Sequence, residues 1–377
     1  MNGAPPQLPE VPVPKQRLLS LDALRGLDML CIIGGGDILI ALARLWPGPV
    51  LDSLAVQFEH VEWEGLHLYD LIFPLFIFLS GTAIPFSLDS RLVRGDSRRK
   101  LWGKIMLRVV LLVILGIIYN GALAAKPADP RFPSVLGQIG VAWGIAASVH
   151  LLIRDNRIRF GILPAWLVAI AVLQLLVPVP GHGAGDLTAS GSINSWLDRT
   201  LVPGRLHRGN FDPEGLLCCI SAASVAMAGA LAGTFLKRPS AFTWQTPAWL
   251  ALAGAFSILL AALYGWFGYP PVKMLWTATF DLFAIGISTL LLALFFAIID
   301  LARLQAWSFP LRVIGLNCLT IYLAARLVSF PEMSAFLLGR FAGLFGEADH
   351  LVILCGVVLL EWAVLYFLYR RQWFFRV

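Results

Sequence analysis

The sequence predicts an all-α polytopic membrane protein of about ten transmembrane helices, with both termini on the cytoplasmic side. Three observations predict it. Of the 377 residues, 58% are hydrophobic and only 14% charged, where a soluble domain has about one quarter charged residues, and the mean hydropathy is +0.77. Apolar runs of about 20 residues, long enough to cross a hydrocarbon core, recur along the chain. Lys and Arg gather in every second gap between those runs, the pattern of cytoplasmic loops.

Taken in order, residues 1–16 are Pro-rich and polar, too poor in apolar side chains to fold alone, so a disordered tail is expected. Lys15 and Arg17 place that tail in the cytoplasm. The N-terminus lacks a basic segment followed by a short apolar core and a cleavage site, so the first span is expected to stay as an anchor. The apolar runs lie at residues 19–45, 66–89, 101–123, 135–153, 161–178, 213–236, 246–267, 276–302, 310–331 and 350–370.

Basic residues follow the even-numbered runs: Arg91, Arg94, Arg98, Arg99, Lys100 and Lys104; then Arg154, Arg157 and Arg159; then Lys237 and Arg238; then Arg303; and finally Arg370, Arg371 and Arg376. The other gaps, 46–65, 124–134, 179–212, 268–275 and 332–349, are poorer in Lys and Arg and are expected to face the periplasm or lumen. The longest, 179–212, carries PGHGAGDLTASGSINSW, a turn-forming composition suited to a lid over an outer-facing site. No internal repeat is visible, which weighs against the inverted-repeat design of many secondary transporters.

The net charge of +6 reflects loop topology, so no nucleic-acid partner is expected. Cys31, Cys218, Cys219, Cys318 and Cys355 sit inside apolar runs without CxxC or Cys/His spacing. Neither disulfides nor a metal is expected.

Residues 58–81, FEHVEWEGLHLYDLIFPLFIFLSG, set two histidines, three glutamates and an aspartate directly against an apolar run. Titratable side chains at such a place are a functional-site hypothesis by default. His60 is read as the catalytic base. A helix through this stretch would put His60, Glu64 and His67 on one face, with Glu64 and Asp70 as orienters of the imidazole. The bland alternative is a solvated headgroup-region cluster, in which Trp63 and Tyr69 are an aromatic belt. At membrane depth, Asp37 follows Gly34, Gly35 and Gly36, which allow close approach of a ligand or backbone. Gln138, Lys273, Trp276 and Asn317 could line one polar cavity with it, or serve as ordinary interhelical hydrogen bonds. Asp22 and Arg25, three apart, read as a structural ion pair.

In order along the chain, SLDALRG, the Gly-rich end of the first span, H-x-x-W-x-G with YDLIFPLFIFLSG, LGQIG, FDPEGLL, PPVKMLWT and IGLNCLTIY resemble the transmembrane acyltransferases. The chain looks like the heparan-α-glucosaminide N-acetyltransferase family, and most like its bacterial NagX-type members. The resemblance implies one acyltransferase domain over residues 17–377, a multi-pass protein of the bacterial inner membrane. It also implies transfer of acetyl from cytoplasmic acetyl-CoA to the amine of glucosamine, or of a saccharide containing it, on the far side. The family's catalytic histidine falls on His60. Better-known relatives carry an asparagine before the glycines that close the first span; here Ile32 and Ile33 stand there, so Asp37 either takes over that role or marks a different acceptor.

For this chemistry His60 is expected to act as general base or transient acetyl carrier, with Asn317, Gln138 or Lys273 as oxyanion donor. Asp37, Trp63, Gln138, Lys273 and Trp276 are expected to contact the acceptor, and Arg98, Arg99, Lys100, Lys104 and Arg108 the phosphates of CoA. The bilayer and the amino-sugar acceptor are the expected partners, with a homodimer left open. Two other functions fit the same residues: an amino-sugar transporter and an O-acetyltransferase of envelope polysaccharide.

Overall fold

The computed structural model describes residues 18–121 and 130–375. The expected tail 1–16, together with Lys15, Arg17 and Arg376, lies outside the described residues. Within them all regular structure is helical, apart from three isolated backbone bridges. The protein is an all-α polytopic membrane protein: nine helices among the described residues are long and apolar enough to cross a bilayer, or ten if one bent pair counts as a span.

Helix α1 (Leu19–Leu30) continues through a π-helical segment (Cys31–Gly35) into α2 (Gly36–Leu45). Gly34 there has φ 131°, a conformation that side-chain-bearing residues rarely adopt, so the glycine run re-aims the end of the first span. Helix α3 (Pro49–Gln57) opens on a proline in its first turn, where the missing N–H costs nothing. An irregular stretch, residues 58–67, and a 3-10 turn (Leu68–Leu71) then lead into α4 (Ile72–Thr82) and α5 (Ile84–Val93).

Helices α6 (Arg98–Tyr119), α7 (Val135–Leu152) and α8 (Asn156–Leu176) start at Ser97, Ser134 and Asp155, whose side chains accept backbone N–H groups of the first turn, the capping that orphan donors require. The short α9 (Ile193–Leu201) lies in the long loop, before α10 (Leu216–Leu236), α11 (Gln245–Trp266) and α12 (Ala278–Phe295). The expected span at 310–331 is broken: α13 (Phe309–Leu316) and α14 (Cys318–Leu327) meet at 72° with Asn317 between them. The expected loop 332–349 is largely helical, as α15 (Phe330–Ala342) and a 3-10 turn (Gly343–Ala348), before α16 (Asp349–Arg370). Pro331 in the first turn of α15 favours a new helix start.

Helix α10 is the centre of the bundle: 78% of its apolar window is buried, against 22% for α6 and α11. Its sequence, LLCCISAASVAMAGALAGTFL, is dominated by small side chains, which let backbones approach where lipid offers no hydrophobic drive to associate. A Cβ on Gly81 of α4 would overlap the carbonyl oxygen of Ala226, and one on Gly229 that of Phe78. Buried polar ties fix the register. Asp281 of α12 accepts hydrogen bonds from Ser221 and Ser224 of α10, each 2.8 Å. Asp300, after α12, accepts the Leu19 and Ser20 N–H groups at the start of α1.

Gly81→Val is therefore expected to disrupt the α4–α10 contact at a cost on the order of 1–3 kcal/mol. It should lower the monodisperse yield in detergent by size-exclusion chromatography. Gly103→Ala, where a Cβ meets nothing within 4 Å, should leave the yield unchanged.

Candidate active site

Residues 58–67 are irregular rather than helical, which corrects the expectation that His60, Glu64 and His67 share a helix face. Local polar geometry explains the departure. The N–H groups that a helix would use internally are taken by the Asp70 carboxylate, which accepts from His67 N (3.1 Å) and Val61 N (3.4 Å). Glu64 pairs with Val272 in an isolated antiparallel bridge, and Gly65 N donates to Pro271 O at 3.0 Å. The H-x-x-W-x-G motif is thereby laid along the strip PPVK that carries Lys273.

Asp70 joins these pieces. Its Oδ1 lies 2.7 Å from His60 Nδ1 and 3.1 Å from Lys273 Nζ, and the residue is 1% exposed. A carboxylate that receives this set of donors is an acceptor only, so Nδ1 carries the proton and donates it to Asp70. Lys273 Nζ, also 3.0 Å from Nδ1, therefore directs its hydrogen bond to Asp70. Burial lowers the Lys273 ammonium from its ordinary value, while the Asp70 carboxylate raises it. His60 Nε2 is left without a protein hydrogen bond among the described residues. The ring packs against Tyr69, centroid to centroid 4.7 Å, and its side chain is 48% exposed.

The remaining expected residues divide. Asp37 is exposed on the first turn of α2, beside Gly36, whose Cβ position faces Phe58 and Tyr69; that puts it on the rim of the His60 cluster. Trp63 donates from Nε1 to Leu187 O at 3.0 Å and meets Phe211 edge-on, so it fastens the long loop to the motif. Glu64 does not orient His60. Its side chain lines, with Trp63, Asp186, Thr188 and Pro270, a cleft of about 730 Å³.

Trp276 is 1% exposed and packs edge-on against Phe73 and Phe280. Such burial makes it a wall and denies it acceptor contact. Its left-handed φ of 46° is held by the sequence of turns that presents Lys273. Gln138 is fully buried and donates to Cys218 O at 3.2 Å, a tie between α7 and α10.

Asn317 belongs elsewhere. Its amide donates to Trp373 O (3.1 Å) and accepts from Phe375 N (3.3 Å). Gly315, two residues earlier, abuts the Asp22 carbonyl at the start of α1. From Asp22 to Gly34 a helix rises about 18 Å, so Asn317 lies at the opposite end of the bundle from His60 and is no oxyanion donor there. At that end too is the expected Asp22–Arg25 pair, 3.2 Å. The basic start of α6 also follows there, after α4 and α5 have returned the chain: Lys100 and Lys104 both pair with Asp96 (2.7 and 3.6 Å). Arg98 and Arg99 flank them, and Arg108 stacks over Trp143 at 4.1 Å with its Nε buried and unbonded.

A cluster absent from the sequence reading stands near the site, where Glu214 acts electrostatically on Lys273. Arg131 binds Asp212 through two hydrogen bonds (2.8 and 2.6 Å) and also holds Glu214. Burial pushes the Glu214 carboxyl above the ordinary carboxylate range; Arg131 pulls against this and Asp212 adds to it. Glu214 in turn favours the charged form of Lys273. Nearby, burial pushes Asp198 up to about 6, opposed by the Leu216 N–H that it accepts. The signal was present in FDPEG, two acids just before an apolar span, but their cationic partner lies 81 residues away.

Known proteins show two likenesses. Residues 17–128 match the family model of a domain of unknown function, DUF5009. The heparan-alpha-glucosaminide N-acetyltransferases of Mus musculus and Homo sapiens are each 26% identical to the chain over 423 aligned positions, 96% of this chain and 60% of the relative. The chain thus spans about three fifths of the length of those relatives.

The raised carboxyls have a stability consequence. A folded-state value above the unfolded one means that the folded protein holds its proton longer, so stability is greatest below the unfolded value and declines as pH rises through the folded one. For Asp198 the window runs from about 4 to about 6, with at most about 3 kcal/mol at stake. The thermal midpoint in detergent should fall across that window, and Asp198→Asn should flatten the decline.

Proposed function

We propose that the chain is a transmembrane N-acetyltransferase of a heparan-α-glucosaminide N-acetyltransferase-like family, a reading supported by 26% identity to two such enzymes over 96% of the chain. It moves an acetyl group from cytoplasmic acetyl-CoA to the amine of glucosamine, or of a saccharide carrying it, on the periplasmic side of a bacterial inner membrane. The observation that carries the reading is the Asp70–His60 pair: a buried carboxylate 2.7 Å from Nδ1 fixes the tautomer in which Nε2 is the basic nitrogen.

A thioester is already activated, so the protein must supply a base, alignment and a place for negative charge. As the amine nitrogen bonds to the thioester carbonyl carbon, His60 Nε2 takes a proton from it. The imidazolium is stabilised by Asp70, and the proton passes to the CoA sulfur as the C–S bond breaks. Lys273, whose Nζ lies 3.0 Å from the imidazole Nδ1, is assigned the part of oxyanion donor in preference to Asn317 and the fully buried Gln138. The same tautomer would let Nε2 attack the thioester first, so an acetyl-imidazole begins from an identical site. At the other end of the bundle, Arg98 and Arg99 on the first turn of α6, with the unbonded Nε of Arg108, are the charges offered to the CoA phosphates. The pantetheine arm then runs between the spans toward His60.

Purified protein given acetyl-CoA and glucosamine should release CoA in an amino-sugar-dependent manner. His60→Ala should reduce release to background, and Asp70→Asn should lower kcat by roughly 10²–10⁴-fold. Passage of unmodified glucosamine into proteoliposomes, with CoA release indifferent to His60→Ala, would favour a transporter and sink the proposal.

A further inference from the structure

The cleft beside the catalytic pair has a composition of its own. Its volume of about 730 Å³ falls in the range of roughly 300–1,000 Å³ that encloses drug-sized ligands, several times the volume of one hexose. It is continuous in the chain with the reacting residues: Trp63 and Glu64 follow His60 within one irregular stretch, and Glu64 bridges to Val272, the neighbour of Lys273. Its far wall is the long loop, fastened by the Trp63–Leu187 hydrogen bond.

Of the ten residues that line the cleft, two are ionisable, Glu64 and Asp186, and both are acids. Asp186 accepts Thr188 N at 2.8 Å, and hydrogen bonds from Thr188 hold it below the ordinary carboxylate value. The imidazole facing it is His182, 3.3 Å away. The other walls are the Trp63 indole, the side chains of Leu187, Thr188 and Ala189, three glycines and Pro270, an uncharged surface with apolar and hydroxyl groups to offer a saccharide.

We infer that this cleft is an extended acceptor subsite that takes a neutral or cationic amino-sugar oligomer, more than one ring long, and turns away polyanionic saccharides. The inference rests on the acetyltransferase reading but adds length and charge to it. Sulfate or carboxylate groups on rings adjacent to the reacting amine would be placed against Glu64 and Asp186, and like charges so juxtaposed are repulsive. Protonated or unsubstituted amines at the same places would be attracted. Glu64 is thus a specificity-determining residue and not an orienter of His60.

The test compares kcat/KM, by CoA release, for glucosamine, a β-linked glucosamine trimer and a sulfated trimer with one free terminal amine. The trimer should exceed glucosamine by about tenfold, near 1.4 kcal/mol, and the sulfated trimer should fall below glucosamine. In Glu64→Gln the trimer-to-glucosamine ratio should drop toward one, and in Glu64→Lys the sulfated-to-unsulfated ratio should rise. Equal values for trimer and glucosamine in the unsubstituted protein, or a preference for the sulfated trimer, overturn the inference. If no amine elicits CoA release, the transferase reading fails by itself and the cleft is judged by calorimetric binding of the unsulfated trimer. Binding that weakens in Glu64→Gln then supports the cleft, and no binding overturns it.

Discussion

The buried carboxylate of Asp70 is the interaction on which the rest of the site depends. Two separate pieces of chain converge on its two oxygens: the motif loop, through the His60 ring and the Val61 and His67 N–H groups, and Lys273 from 203 residues away. A carboxylate so thoroughly removed from water is tolerated only when its partners are complete. The same donors that offset its desolvation also fix the imidazole tautomer and the position of the ammonium. Structural satisfaction and chemical preparation are here one requirement, which is why loop 58–67 gives up helical hydrogen bonds.

Around that node the architecture is one of small residues and sparse polar ties. Glycines on α4 and α10 bring backbones into contact, while Asp281 with its two serines and Asp300 at the α1 start set register and end. Close packing of this kind makes the spans behave as a rigid frame. The frame holds His60 at one end and the basic start of α6 at the other. The second layer, Arg131 with Asp212 and Glu214, adds charge control to Lys273 without touching the imidazole.

Hydropathy, basic-loop alternation and motif order were enough for the class of fold, for nearly all spans and for His60, Asp70 and Lys273 as residues of interest. These are properties of local composition, and a span needs only its own side chains to be recognisable. The misreadings have physical causes. Helical spacing puts Glu64 and His67 on one face of a stretch whose hydrogen bonds in fact go to Asp70 and to the 270–273 strip, and α15, at 13 residues, is shorter than the run of about 20 that marks a span.

Asn317 and Trp276 show the same division from the other side. Both are polar or amphipathic groups inside apolar runs, and spacing cannot say at which end of a bundle, or behind which wall, such a group stands. The sequence alone determined that this chain crosses a membrane many times and sets histidines and carboxylates against the start of its second span. Only the tertiary structure decided that Asp70 holds Nδ1, that Lys273 joins it, and that Glu64 faces a cleft. The reason is physical: burial and hydrogen-bond geometry depend on contacts between residues as far as 293 positions apart, and those contacts are properties of packing.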